Sequence, residues 1–403
     1  MQQSFLSVPT DPAITLFRKQ SAFDTIPLLK NYRDVMQLWY KQAPVPHQKD
    51  DEWRFIPLPD LLWGQLAMTE VMVPTVLFPN GIFLGDIRDF VEYYPDIAQK
   101  YLSADKSVPW KNRVLSLVAE SCWNKGVVLY VPQNIKINEV IDLPNIFFYA
   151  QSLLVEKIMI ILEEGATIEL SDIHRSSTDR QIIFRSIDCY LAPAAQLTML
   201  HDQDSNNNQS LFSRTTFYLA KESMLNYALI TTGSKVNKSW LDIMLQGPGA
   251  QAQVRGVYLL HDSESIDITS AQMHQKSHTT SSLVLKGIVQ DQAHAVYRGT
   301  IFIDKQARQT NASQENKNML LSTAARAHSI PSLEVLNHDV QCSHGSAVGQ
   351  FDREQLFYAQ ARGLEEKAAK RLLLEGFLSD LFSGFEAKIL KNALINLRNK
   401  LLN

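Results

Sequence analysis

Glu164-Gly165-Ala166-Thr167-Ile168 is followed along the chain by Pro193-Ala194-Ala195-Gln196-Leu197, Lys221-Glu222-Ser223-Met224-Leu225 and Pro248-Gly249-Ala250-Gln251-Ala252. The small residues Ala166, Ala195, Ser223 and Ala250 stand 29, 28 and 27 residues apart. Near-constant spacing of a small-residue turn is how a solenoid looks in sequence. Between and around these turns run short stretches rich in β-branched and aromatic residues, at 127–131, 153–155, 158–162, 181–184 and 283–285. Almost nothing between them has the length or period of a helix, so the repeating units read as strands. At about 20 to 28 residues per coil and about 4.8 Å between coils, roughly 200 residues would form about eight coils and a rod about 40 Å long. Val, Ile and Leu would fill its interior. A β-sandwich also shows short strands at regular spacing and is the competing architecture. A solenoid leaves raw strand edges at its ends, which have to be covered or paired.

The flanks read as helical. Ile14 and Phe17, then Leu28, Leu29, Tyr32, Val35, Met36 and Trp39, recur at helical spacing. Pro27 suits a first helical turn, and Ala43-Pro44-Val45-Pro46 ends the helix because proline cannot continue one. Near the other end Asp352 is a good N-cap with Gln355 three residues on. A following helix carries Ala369, Leu372, Leu373, Phe377 and Leu381 along one face, with Glu365, Glu366 and Lys370 opposite. Phe385, Ile389, Ala393, Leu394, Leu397 and Leu401 mark a third, with Lys388, Lys391, Arg398 and Lys400 in its later turns. The expected organisation is a helical and mixed segment over 1–120, a β-solenoid over 121–350 and a helical segment over 351–403.

Composition narrows the function classes. The 403-residue chain is 45% hydrophobic and 20% charged, with a net charge of −3. That is a globular protein, and the absence of a long basic run argues against nucleic-acid binding. Three cysteines without framework spacing suggest a reducing compartment. No apolar run approaches the length of about 20 residues that a spanning helix needs, and residues 1–10 lack the features of a secretory signal, so a cytoplasmic location away from membranes is expected. No phosphate-binding glycine loop is present, so any nucleotide hydrolysis would belong to a partner.

The chemistry concentrates in Asn337-His338-Asp339-Val340-Gln341-Cys342-Ser343-His344-Gly345-Ser346-Ala347-Val348-Gly349-Gln350. In an extended strand residues two apart share a face, so Cys342 and His344 point the same way. A thiol and an imidazole side by side suit zinc, iron or an iron–sulfur species. Two ligands do not complete a site that wants about four, and Cys122 and Cys189 lie far off in sequence, so another chain would have to complete it. The alternative reading is a buried cysteine beside a structural histidine. His274 and His278 invite a metal reading only if helical, and among strands they read as turn or surface residues. A parallel β-helix can also be a polysaccharide lyase or hydrolase, whose clustered acids could come only from Glu163-Glu164, Asp202 and Asp204, or Asp262 and Glu264.

Beyond single positions, the chain resembles the SufD family. Glu52-Trp53-Arg54-Phe55 is similar to the family's motif after its N-terminal helices, with Phe55 and Ile56 replacing the usual Tyr-Thr. Residues 162–170 are similar to its first conserved rung. His274, His278-Thr279-Thr280-Ser281 and Lys286-Gly287 lead into Tyr297-Arg298-Gly299-Thr300-Ile301, and Ala307, Ala312, Gln314, Asn316 and Met319-Leu320-Leu321-Ser322 follow. Pro331-Ser332-Leu333-Glu334-Val335 runs into the Cys342 stretch, where His338-Asp339 replaces Asp-Asp, and Leu356-Phe357-Tyr358 and Arg362-Gly363-Leu364 complete the match.

This resemblance implies a right-handed parallel β-helix flanked by helical domains, working in iron–sulfur cluster assembly without turnover of its own. It implies a SufBCD complex in which the chain pairs with the paralogue SufB and docks the ATPase SufC, with a homodimer possible when isolated. The cluster or iron would be transient and shared with SufB. Glu315 stands where SufB-like chains carry a cysteine after Gln314, which favours SufD over SufB. The implied metal-facing residues are His344 and Cys342, and the implied ATPase-binding residues are Phe357, Tyr358, Arg362, Gly363 and Leu364.

Overall fold

The computed structural model describes residues 21–44, 46–56, 68–102, 108, 110, 113–144, 152–175, 180–381, 387, 389, 390 and 397. The expected helical positions Ile14 and Phe17, and Phe385, Ala393, Leu394 and Leu401 with the basic residues around them, lie outside this set.

Helix α1 (Pro27–Gln42) carries Pro27 at its first position and ends at Ala43, before Pro44. Strands β1 (Val76–Leu77) and β2 (Phe83–Asp86) precede the short helices α2 (Ile87–Tyr93), α3 (Pro95–Tyr101) and α4 (Val114–Ser121). The solenoid begins with β3 (Lys125–Val131), β4 (Lys136–Asp142), β5 (Ser152–Leu162), β6 (Thr167–Arg175) and β7 (Gln181–Leu191). It continues through β8 (Gln196–Asp204), β9 (Gln209–Leu219), β10 (Met224–Thr232), β11 (Val236–Leu245) and β12 (Gln251–Leu260). Its last strands are β13 (Ser265–His274), β14 (Thr280–Val289), β15 (His294–Ile303), β16 (Thr310–Leu320), β17 (Arg326–Val335) and β18 (Val340–Gln350). Helices α5 (Arg353–Ala361) and α6 (Glu366–Leu378) follow.

Odd strands from β3 stack in one sheet and even strands from β4 in the other, with parallel pairing throughout. The result is a parallel β-solenoid of about seven turns, with eight stacked parallel strands on each face, in line with the eight or so coils expected. The sandwich alternative fails because successive strands alternate between sheets and neighbours within a sheet are parallel. At the start, β1 and β2 add antiparallel to β3 and extend the first sheet, a feature not anticipated from sequence.

The turn that opened the sequence reading recurs more often than sequence alone revealed. Asn134, Gly165, Ala194, Glu222, Gly249, His278 and Gln309 all adopt positive φ. Each precedes an inward residue, wholly buried at Ala166, Ala195, Ser223, Ala250 and Thr279 and partly buried at Ile135. The turn amides also bond from coil to coil: Gly165 N–H donates to Pro193 O at 3.0 Å, Ala194 to Lys221 O at 2.9 Å, Glu222 to Pro248 O at 2.9 Å and His278 to Arg308 O at 2.9 Å. The turns are therefore part of the hydrogen-bonded stack, and the small residues behind them let the chain close over the interior.

Inward positions form a continuous aliphatic core, including Ile160, Leu162, Ile187, Leu219, Ile243 and Leu285. The outer face of the odd-strand sheet is covered by α1, α4 and neighbouring aromatics such as Trp123 and Phe184. The outer face of the even-strand sheet receives Leu378, Leu381, Ile389 and Leu397 against Leu200, Ile230, Val257 and Ile288. Leu372, expected on the buried face of its helix, is instead 54% exposed.

Two charged networks are buried at the first coils. Inside the solenoid, the Lys125 ammonium meets Glu156, while Arg185 bonds Glu156 at 2.7 Å and Asp172 at 2.6 Å. His201 Nδ1 lies 2.6 Å from Asp172. Outside it, beneath α4, Glu120 and Asp188 are held by Lys157 and Arg214, and the Tyr32 hydroxyl donates to Glu120 at 2.6 Å. Burial opposes the Glu156 charge, but Lys125 and Arg185 overcome it and hold the carboxyl at about 2.

Breaking such a pair leaves an uncompensated buried charge, so Arg185→Met is expected to destabilise the fold by about 3–5 kcal/mol, read by chemical denaturation. Acid should act in the same direction. Burial lowers His174, His274 and His294 from 6.5 to about 4, so between these values the unfolded chain binds more protons than the folded one. Glu156 adds the same effect from 4.5 downward. The melting temperature should therefore fall as pH drops below about 6.5 and fall further below about 4.5; a melting temperature flat from pH 7 to 4 would contradict this assignment.

Candidate functional site

The last coil differs from all the others because nothing stacks on it among the described residues. β17 ends one sheet and β18 ends the other. Their backbones present unpaired edges of ten and eleven residues, the kind of edge that recruits another chain. Ile330, Leu333, Val335, Leu336 and Val348 are each between 38% and 45% exposed on this coil. Hydrophobic groups and open edges thus coincide.

Cys342 and His344 lie on β18 within this open coil. In the β16 register Cys342 sits beside Ala312 and His344 beside Gln314. Cys342 is half-buried and packs against a small cluster of Ile301, Ile303, Ala307 and Ala312. His344 is exposed. Because alternate residues share a face, both belong to the side that looks along the interior. No group of three or more His, Cys, Asp or Glu able to hold a metal occurs among the described residues, so within this set the two have no third ligand. Glu315, the neighbour of Gly345, is ion-paired with Lys317.

The other candidate residues separate cleanly. Cys122 and Cys189 are buried, and burial pushes the Cys122 thiol up to about 12 and Cys189 well above its ordinary value. His278 occupies an exposed turn, as expected, but His274 does not. It is fully buried, with Nδ1 2.8 Å from Thr279 Oγ1 and Nε2 2.8 Å from Ser281 Oγ. Its partners are the neighbouring hydroxyls of Thr279 and Ser281, turned inward with it. The candidate lyase acids do not gather: Asp202 is ion-paired with Arg175, Asp204 accepts from Thr232 at 2.7 Å, and Glu264 accepts the His261 amide at 2.9 Å.

Glu52-Trp53-Arg54-Phe55 docks on the outer face of the odd-strand sheet. Trp240 Nε1 donates to Glu52 at 2.6 Å, Trp53 is buried beside Lys238, and Phe55 stacks on His328 at 4.3 Å. The motif thus ties the N-terminal region to the later coils.

Beyond the open coil, Asp352 caps α5 by accepting from the Glu354 and Gln355 amides. Phe357 and Tyr358 are 72% and 62% exposed, and the Arg362 guanidinium donates to the Tyr358 hydroxyl at 2.9 Å. Gly363 has φ +95° and turns the chain so that Leu364 and α6 face α5 across a groove. Lys286 reaches from β14 to the Phe377 carbonyl at 2.6 Å and anchors α6 to the solenoid.

The fold and site together define a parallel β-solenoid whose last coil carries a thiol and an imidazole beside an exposed aromatic helix face. The family model for the SUF system iron–sulfur cluster assembly SufBD core domain matches residues 147–377. An iron–sulfur cluster assembly SufBD family protein of Synechocystis is 23% identical over 92% of this chain and 88% of its own length. One from Mycobacterium tuberculosis is 25% identical over 84% and 85%. The chain belongs to the SufBD family of iron–sulfur cluster assembly proteins. No helix among the described residues is long and apolar enough to cross a membrane.

The interior charged network was missed from sequence, although a signal existed: Lys125, Glu156 and Arg185 follow one another at 31 and 29 residues, the coil repeat itself. Thiol chemistry checks the packing. Under native conditions a small alkylating agent is expected to modify Cys342 alone of the three cysteines, read by mass spectrometry. Comparable modification of Cys122 or Cys189 would show that their surroundings are open.

Proposed function

We propose that the chain is a SufD-type subunit of a SufBCD-type assembly, without catalytic turnover of its own, and works in the cytoplasm. The observation that carries this is the open last coil, where unpaired β17 and β18 edges, exposed aliphatic residues and the Cys342–His344 pair occupy one end of the solenoid. A SufB-like paralogue would pair its own solenoid with this end and contribute the further ligands. The nascent cluster, or iron destined for it, is the cargo of this seam. His344 is its imidazole ligand or proton acceptor, and Cys342, partly withdrawn into the core, supports it.

The groove between α5 and α6 would take the ABC-type ATPase, with Phe357 and Tyr358 as the exposed aromatic anchors that such interfaces favour and Arg362, Gly363 and Leu364 shaping it. In this reading residues 1–120 brace the solenoid of 121–350, and 351–403 link it to the motor. Closure of the ATPase subunits would be transmitted through α6, anchored by Lys286, to the paired solenoids.

His344→Ala should leave folding and paralogue binding intact while lowering cluster yield at least about tenfold, measured by reconstitution of the complex. An undiminished yield would refute the seam assignment. Phe357→Ala and Tyr358→Ala should each weaken ATPase binding by more than about 1 kcal/mol, measured by calorimetry. Unchanged affinity in both would refute the docking assignment.

A further inference from the structure

Directly beneath the open coil the interior turns from aliphatic to polar. Both amide atoms of Gln314 are buried and meet no hydrogen-bonding group among the described residues, and the residue as a whole is 2% exposed. The Gln272 carbonyl oxygen and the Ser329 hydroxyl, on the same inner face, are likewise buried and unpaired. Such groups are rare in folded proteins and call for a reason. Three side chains in the last three coils share the condition here.

The geometry holds the Gln314 amide in place. Gly299 lies across the interior from it, and a methyl group there would come within 2.4 Å of Gln314 Nε2 and 2.3 Å of the Tyr297 hydroxyl. The glycine thus clears the space into which the amide extends. Tyr297 is itself engaged with Ser270 at 2.8 Å. In the β16–β18 register the residue stacked on Gln314 is His344, about 4.8 Å away along the solenoid axis. A side-chain amide offers both a donor and an acceptor.

We infer that Gln314 is a positioning residue for His344: its amide, unpaired in the free chain and given room by Gly299, bonds the imidazole from below once the seam closes and fixes which ring nitrogen carries the proton and which faces the seam. This rests on the seam reading above and deepens it. Histidines that bind metals commonly have the second ring nitrogen held by such a partner, which sets tautomer and ring orientation. Gln314 keeps its unpaired state in the free chain because it serves the ring and its ligand when the seam closes.

The test uses the full chain with ring-15N-labelled histidine, alone and bound to the SufB-like paralogue, with the His344 signal assigned by its loss in His344→Ala. In the paired wild type one tautomer should dominate. In Gln314→Leu the His344 signal should move toward a tautomer mixture and cluster yield should fall about tenfold, while the melting temperature is unchanged or higher, since an apolar side chain replaces unpaired polar atoms. Gln314→Met, closer in shape, provides the same readout if the leucine variant folds poorly. An unchanged His344 spectrum and yield in a folded Gln314 variant would overturn this inference and leave the seam reading standing. A normal yield from His344→Ala would overturn the seam reading itself.

Discussion

The structure depends on parallel strands stacking in register, coil upon coil, with turn amides bonded from each coil to the next. That constraint organises everything else. It places inward residues of successive coils about 4.8 Å apart, so a side chain's closest companions are those one repeat away in sequence. It also forbids a solenoid from ending quietly, because the last coil must leave its edges unpaired. At the other end β1 and β2 extend the odd-strand sheet beyond β3, while β4 ends the even-strand sheet among the described residues. The last coil is left open, and it carries the thiol and the imidazole.

Polar groups inside the solenoid follow a similar division. In the first coils the charged groups Lys125, Glu156, Arg185 and Asp172 neutralise one another in full burial, although His174 Nε2 and Gln209 Oε1 there have no partner among the described residues. Such a network adds little net stability over an apolar core but makes one register the only acceptable one. Near the open end Gln272, Gln314 and Ser329 are left incomplete.

Much of the fold was legible in the sequence because the turn after each strand needs a small inward residue, and Ala166, Ala195, Ser223 and Ala250 advertise it. The same turn at Asn134, His278 and Gln309 was hidden, since these side chains have nothing in common beyond adopting positive φ. The placement of Cys342 and His344 on one strand face followed from alternation alone. What alternation could not show was partnership across coils. His274 was read as a turn or surface residue because it lies among strands, yet it is buried with the Thr279 and Ser281 hydroxyls as its partners. Gln314 stood out only as part of a motif, and its unpaired amide becomes visible once Gly299 and His344 are placed around it.

The central claim is that the β17 and β18 edges are the surface by which this chain joins a paralogue. Hydrogen–deuterium exchange of residues 326–350, with and without a SufB-like partner, addresses it at the backbone itself. Strong protection of these strands' amides on complex formation is expected, with little change in the interior coils around β9 to β12. A stable complex in which the 326–350 amides exchange as fast as in the free chain would contradict the account.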